Sequence, residues 1–372
     1  MKVLHFFKTY WPDSFGGMER AIHAIARGTA RLGIEPTVLS LSRRPKENSL
    51  FFDGHWARKA RLDVEMASTG FSLEAFRCYR DLAGRADIVH CHFPWPFMDL
   101  VHFVTRPGKP VVVTYHSDIV RQGGLKHLYS PLMHRFLAEA RRVVATSPNY
   151  LKTSEVLQHH LARTTIIPLG LDESDYRKPG QPAYAKWKRQ FPGPFFLFAG
   201  VFRYYKGLDF LLQAALKVPY DVVLIGTGPL ASSLKQQASG MALTNVHFIG
   251  AVDDADKVAL LDLCTAFVFP SHLRSEAYGL SLVEAAMAGK PMISCEIGTG
   301  TTYVNLHEET GLVVPPRNPE ALAAAMTHLV EDGDSVRNYG KNARARYEAL
   351  FTAKEMCEAY EGLYRDAVQP RV

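Results

Sequence analysis

Cysteine is scarce: five in 372 residues, Cys78, Cys91, Cys264, Cys295 and Cys357, odd in number, widely spaced and without a CxxC pair. That excludes a disulfide framework or a zinc–cysteine module and fits reduced thiols in a cytosol. No run of about 18 apolar residues is free of charges, and residues 1–7 open directly on a strand-like run, so neither a membrane span nor an export leader is expected. Low-complexity stretches are missing too, and 47% apolar with 22% charged residues is a globular composition. Charge of one sign is barely in excess: 43 basic against 37 acidic residues give +6, which argues against a nucleic-acid partner and suits phosphates or anionic lipid. There is no GxGxxG. The second strand ends Ser40-Leu41-Ser42-Arg43-Arg44 where a dinucleotide site wants an acid, so an NAD dehydrogenase is disfavoured, although an arginine there could in principle meet the extra phosphate of NADP.

What is present is a regular alternation. A chain of 41.6 kDa exceeds one ordinary core. Short Val/Ile-rich runs separated by helix-length amphipathic segments predict α/β architecture with parallel strands. Strands are expected at 2–7, 36–42, 87–93, 110–116 and 142–147, with helices near 19–32, 73–84 and 125–140. After a Pro- and Gly-rich passage at 166–182, a second series follows: strands at 195–199, 222–225, 246–249, 267–270 and 292–295, and helices near 208–216, 230–239, 255–263, 280–288 and 319–331. The expected domains are 1–170 and 171–352, two Rossmann-like doubly wound units facing a central cleft, with a last helix in 353–372 returning to the first unit.

Five stretches invite chemistry. Gly16-Gly17 with Glu19 opens the first helix, either as a phosphate cradle or as a plain turn braced by the acid. Gly226-Thr227-Gly228-Pro229 stands in the same position after a later strand. Arg203 and Lys206, in Gly200-Val201-Phe202-Arg203-Tyr204-Tyr205-Lys206, are placed to offset a leaving diphosphate, or are solvated basic residues of a loop. Glu276 and Glu284 flank Ala277-Tyr278-Gly279-Leu280: two carboxylates for sugar and ribose hydroxyls, and helix-start amides for anionic oxygens, although two glutamates eight apart also occur as a surface pair. His116 closes an apolar strand, as a site residue or a satisfied half-buried one.

In this order the set resembles the GT-B glycosyltransferases of family 4: GGxE at Gly16–Glu19, His116, Lys206-Gly207, GxGP at Gly226–Pro229, Glu276-x7-Glu284 and Thr310-Gly311-Leu312-Val313-Val314-Pro315. The resemblance implies a retaining transfer from a nucleotide-sugar donor. Gly16 and Gly17 would meet the diphosphate, Lys206 would neutralise it, Glu284 would hold the ribose, Glu276 the donor sugar, and His116 would face the sugar near C6. Gly250-Ala251-Val252 would border the base. Two departures stand out. Many relatives carry an arginine where Val201 stands, so Arg203 is expected to take over the diphosphate contact. Where they have GG followed by Pro-Glu, this chain has Glu296–Asn305, whose small hydroxyl residues are read as lining the diphosphate or sugar pocket. That version is similar to mannosyl- and rhamnosyl-type enzymes of bacterial O-antigen assembly.

The expected route is same-face attack with the departing phosphate helping to take the acceptor proton, so catalysis is positioning plus charge stabilisation. The reading includes no Asp-x-Asp metal motif and no His/Cys set of ligand spacing, so no metal or other cofactor is expected. The acceptor is expected to be a glycan, lipid-linked, held by the first domain. There Arg121, Lys126, His127, His134, Arg135, Arg141 and Arg142 are interleaved with Leu125, Leu128, Tyr129, Leu132, Met133, Phe136 and Leu137, as a helix lying on an anionic leaflet or as a core-packed helix with a basic face. A cytoplasmic place at the inner membrane face follows. GDP-mannose or a GDP-linked deoxy relative is the preferred donor, with UDP sugars behind. The rivals are an epimerase or phosphorylase on the same scaffold and a non-catalytic nucleotide-sugar-binding protein.

Overall fold

The computed structural model describes residues 1–45, 49–66, 69–119, 123–176 and 178–370, with side chains throughout except at 123–127. The chain divides into two compact units, Met1–Gly170 with Ala353–Val372, and Leu171–Thr352.

The first unit is built on an eight-stranded sheet. Its strands are β1 (Lys2–Phe6), β2 (Glu35–Ser42), β3 (Ser49–Phe52), β4 (His55–Arg61), then, beyond a small hairpin of β5 (Val64–Met66) and β6 (Thr69–Phe71), β7 (Ile88–Phe93), β8 (Val111–Tyr115), β9 (Arg142–Ala145) and β10 (Thr164–Ile166). The order is β10-β9-β8-β7-β1-β2-β4-β3, parallel except for β3 against β4. β7 and β8 are buried along their whole length, which is why they read as unbroken apolar or histidine-bearing runs rather than as alternating ones. The helix Ala353–Val368 belongs to this unit: it packs along the helix Gly17–Arg31 and over β7 and β8, with Met356, Tyr360 and Tyr364 buried.

The second unit carries β11 (Phe195–Ala199), β12 (Asp221–Ile225), β13 (Val246–Gly250), β14 (Ala266–Phe269), β15 (Met292–Cys295) and β16 (Gly311–Val314), all parallel in the order β13-β12-β11-β14-β15-β16. The order reverses between β11 and β14, and in such sheets ligands bind at the carboxyl ends of the strands beside that switch point. The α/β class expected from the sequence is the class observed.

Candidate functional site

The loops leaving β11, β12 and β13 lock together at that switch point. Gly200 N donates to Ile225 O (3.0 Å), Phe202 N to Thr227 O (2.8 Å), and Gly226 N to Gly250 O (2.8 Å). Gly226 sits at φ +126°, and a Cβ there would stand 2.0 Å from Gly200 O, so no other residue lets the two loops touch. Gly228 is packed as tightly against Phe202. Val252, half-buried, lies just beyond β13 and just before Asp253, which caps the helix Asp254–Leu263.

Lys206 follows β11 in the same loop system and is buried, its ammonium 4.4 Å from the centre of the Phe269 ring. Its Nζ donates to Glu276 Oε2, and Ser271 Oγ donates to the same oxygen at 3.3 Å. The lysine and the glutamate, seventy residues apart in sequence, thus form one buried ion pair at the end of β14. Arg203 stands apart from this pair: it is exposed, at the start of the short turn that delivers Lys206.

After Glu276 the chain runs through Ala277 and Tyr278, both buried. Gly279, at φ +87°, turns it into the helix Leu280–Met287. A left-handed φ at this cap favours glycine. Ala277 O accepts from Gly300 N at 2.8 Å, which ties this loop to the one after β15. Glu284 lies on the second turn of the helix, buried, and its Oε1 accepts from Lys257 Nζ (2.9 Å) and from Tyr176 OH (2.8 Å). Sequence reasoning missed Lys257, Tyr176 and Ser271. A lysine directly before the apolar run Val258-Ala259-Leu260-Leu261 was the one available signal.

In the loop 296–305 Thr299 and Thr301 are buried and bond each other at 3.3 Å, and Asn305 Nδ2 donates to Ser294 Oγ and Leu312 O. They brace β15 and β16. The sequence also holds two Asp-x-Asp triplets that its reading passed over, and both are helix starts. Asp253 accepts from Asp256 N while Asp256 accepts from Lys186 and Trp187; Asp332 accepts from Asp334 N and Ser335 N.

In the first unit Gly16 precedes the helix Gly17–Arg31 as its cap. Glu19, buried, accepts from Thr9 Oγ1 (2.8 Å) and Ser14 Oγ (2.7 Å), and its Oε2 lies 2.5 Å from where a Cβ on Gly16 would be. The acid therefore braces the turn at Gly16 and Gly17. His116, just past β8, shares a 3.1 Å hydrogen bond with His92, and His92 shares another of 3.1 Å with His5. Beside them His90 bonds Tyr364 OH and Thr114 Oγ1, both at 2.7 Å. Burial lowers the pKa of His116 to about 4; burial, with His55 second, lowers that of His5 to about 3. His5, His90 and His92 are the one group of metal-ligand spacing among the described residues, with ligand atoms within 4.8 Å. Every ring nitrogen of the three except His5 Nε2 already has a hydrogen-bond partner, so the arrangement is that of a hydrogen-bonded network.

The basic helix of the first unit, Gly123–Glu139, is core-packed: Met133, Phe136 and Leu137 are buried. Its charges, and those just after it, are engaged, Arg135 with Glu139 (3.0 Å) and Arg142 with Asp366 (2.7 Å), while His134 bonds His160. Leu128 is 82% exposed. Arg121 lies outside the described residues, as do the side chains of Leu125, Lys126 and His127. No described helix is long and apolar enough to cross a membrane.

Residues 15–175 match the model of Glycosyltransferase Family 4, and residues 185–346 that of Glycosyl transferases group 1. The chain is 54% identical over 353 residues to the D-rhamnosyltransferase WbpZ of Pseudomonas aeruginosa, covering 95% of this chain and 93% of that one. It is 43% identical over 371 residues to the O-antigen chain mannosyltransferase C of Escherichia coli, covering all of both. Among solved structures, a sucrose-phosphate synthase from Thermosynechococcus elongatus superposes with a TM-score of 0.81 at 22% identity over 98% of each chain. The HepE protein of Anabaena, in complex with UDP, does so at 0.77 and 18% identity, over 98% of this chain and 100% of that one. These two likenesses establish the GT-B fold. The chain belongs to the family 4, group 1 glycosyltransferases and is a glycosyltransferase of GT-B fold.

Proposed function

We propose that this enzyme moves mannose or a 6-deoxy relative, with retention, from a GDP-linked donor to a hydroxyl of a growing, lipid-linked bacterial glycan. The carrying observation is the buried set at the switch point of the second unit: Lys206 paired with Glu276, and Glu284 on the adjoining helix with Lys257 and Tyr176. Lys206 is the fixed cation for a departing diphosphate, Glu276 the acceptor of donor-sugar hydroxyls, and Glu284, oriented by Lys257 and Tyr176, the acceptor of ribose hydroxyls. Gly226, Gly228 and the backbone at Val252 border the nucleotide, and the start of the helix Leu280–Met287 with Ala277, Tyr278 and Gly279 meets phosphate oxygens. The names of the two relatives, one a rhamnosyl- and the other a mannosyltransferase of O-antigen, support the choice of sugar and acceptor. Lys206 and the helix-start dipole supply the positive charge, so the reaction needs no divalent ion.

The test is a thermal-shift series with GDP, UDP and ADP, followed by nucleoside diphosphate release from GDP-mannose with and without glycan acceptor, in EDTA. A ligand at 100 times its Kd stabilises by about 2.7 kcal/mol, so GDP is expected to raise the Tm and UDP to raise it less. Equal shifts would refute the GDP assignment. Activity abolished by EDTA and restored by a divalent metal would refute metal independence. No release at all would favour a binding protein, whereas release unaffected by the native acceptor would mean that the donor is hydrolysed and the sugar is not transferred to that acceptor.

The enzyme works at the cytoplasmic face of the membrane in this proposal, and touches it through exposed leucines rather than through a basic stripe. Leu100 (42% exposed) and Val104 (57%) lie on the helix Pro96–Thr105, which packs against the helix bearing Leu128. Flotation with anionic vesicles is expected to carry the native chain and to lose most of a Leu128→Gln variant. Equal flotation of both would remove these residues from the contact.

A further inference from the structure

His5, His92 and His116 form a chain of three imidazoles that begins in the middle of the first unit's sheet and ends at the carboxyl edge of β8. The links are His5 Nδ1 to His92 Nε2 and His92 Nδ1 to His116 Nε2, each 3.1 Å. His5 and His92 have no exposure at all; His116 is 6% exposed. His116 is thus the member that can reach a ligand, and its Nε2 is turned inward to His92. Its outer nitrogen is Nδ1.

Burial keeps the three rings neutral near pH 7, and a neutral imidazole carries one proton, donating at one nitrogen and accepting at the other. The chain can then run in only two directions. In one, every proton sits on Nε2, and His5 Nε2–H is left buried with no protein partner among the described residues. In the other, every proton sits on Nδ1, and His5 Nε2 presents a bare lone pair to that same place. A buried N–H without an acceptor is the rarer and more costly state of the two.

We infer that His5 and His92 are positioning residues that fix His116 in its Nδ1–H tautomer, so that it offers an outward hydrogen-bond donor to an oxygen of the bound substrate. The tautomer of a histidine is set by the partner at its other nitrogen, and here that partner is a second histidine held by a third. A donor at Nδ1 selects an acceptor atom, a sugar hydroxyl or phosphate oxygen. The ligand class rests on the function proposed above; the tautomer itself does not.

The experiment is therefore done first without substrate. Two-bond ¹⁵N–¹H correlation spectra of the histidine-labelled full chain at pH 7.5 report which nitrogen of His116 is protonated, with His116→Gln supplying the assignment. The expected result is Nδ1–H in the native chain, retained in His92→Asn, whose amide N–H replaces Nδ1–H, with a proton gained at Nε2 in His92→Asp, whose carboxylate can only accept. In turnover assays kcat should fall about tenfold or more in His92→Leu and be largely restored in His92→Asn, with KM little changed. An Nε2–H tautomer in the native chain overturns the inference, as does an Nε2 left without a proton in His92→Asp. If His92→Leu fails to fold, the native spectrum and the asparagine variant decide. A native Nδ1–H together with no turnover of any nucleotide sugar would sink the proposed function and leave this assignment standing.

Discussion

Glu276→Gln is expected to lower turnover about 10²–10³-fold while leaving the affinity for bare nucleoside diphosphate nearly unchanged. Glutamine keeps an oxygen for Lys206 and Ser271, the two groups that share Glu276 Oε2, so the buried ammonium is not left alone. Alanine would be a poorer probe, because removing one member of a buried pair costs about 3–5 kcal/mol through the stranded charge. What glutamine removes is the negative charge facing the sugar as positive charge develops at its anomeric carbon. The nucleotide, held through Glu284 on the following helix, should not notice. Titrating GDP by calorimetry alongside steady-state turnover separates the two, and equal losses in both would show that Glu276 holds the nucleotide as well. Arg203→Ala in the same assay is expected to lower kcat/KM about tenfold, the equivalent of a contact worth about 1.4 kcal/mol. The arginine is exposed, and an unchanged value would mean that it does not replace the cation absent at Val201.

Acidification from pH 7.5 to 5 is expected to unfold the first unit well before the second. Among its buried histidines, His5, His90, His92 and His116 form one cluster, and burial holds the pKa of each below its ordinary value. The groups around them include Thr114, Tyr360, Tyr364, His55 and one another; no carboxylate is among the causes of their shifts. Folded values lower than the unfolded value of about 6.5 mean that the unfolded chain binds protons first. The stability these rings lend is therefore complete above about pH 6.5 and is lost as pH falls toward the folded values, about 4 for His116 and about 3 for His5. At pH 5 the loss is on the order of 2 kcal/mol per ring, and a domain has only about 5–15 kcal/mol in all. Trp11, Trp56 and Trp95 lie in the first unit and Trp187 in the second. The fluorescence of a Trp187→Phe chain follows the first unit alone, and its Tm should drop steeply below pH 6.5. A Tm independent of pH over this range would mean that the rings find proton-binding partners the neutral network does not supply.

Most strands of the second unit were legible because they are short apolar runs, several buried on both faces: 195–199 and 292–295 are observed as read, whereas 311–314 was not read as a strand. β3 and β4 were not read, although Asp53-Gly54 between them, both at positive φ, is the usual two-residue hairpin signal. Trp56, Arg58, Lys59 and Arg61 hid the strand, since alternate positions of β4 are exposed and Lys59 is buried on hydrogen bonds to Tyr10 O and Ser40 Oγ. The helix Gly333–Leu350 was missed because it is polar nearly throughout and buries only Gly340, Ala343 and Tyr347. At the candidate site, Glu276, Glu284 and Lys206 could each be named from local sequence. Their partners could not, because Lys206 with Glu276, and Tyr176 and Lys257 with Glu284, are brought together by strand order alone, and no local pattern encodes a contact across a sheet.

The helix Ala353–Val368 sets an order of events during synthesis. Its Tyr360 and Tyr364 hydroxyls hydrogen-bond Thr114 and His90 in the middle of the first sheet. On the ribosome that helix emerges only after all of Leu171–Thr352, a continuous segment with its own sheet, has been made. The amino-terminal half therefore waits with its central histidine and threonine lacking these partners while the later half completes itself. The usual amino-to-carboxyl sequence of domain folding runs backward here, and a chain truncated after Thr352 and released should present to chaperones and proteases a finished second unit and an unfinished first.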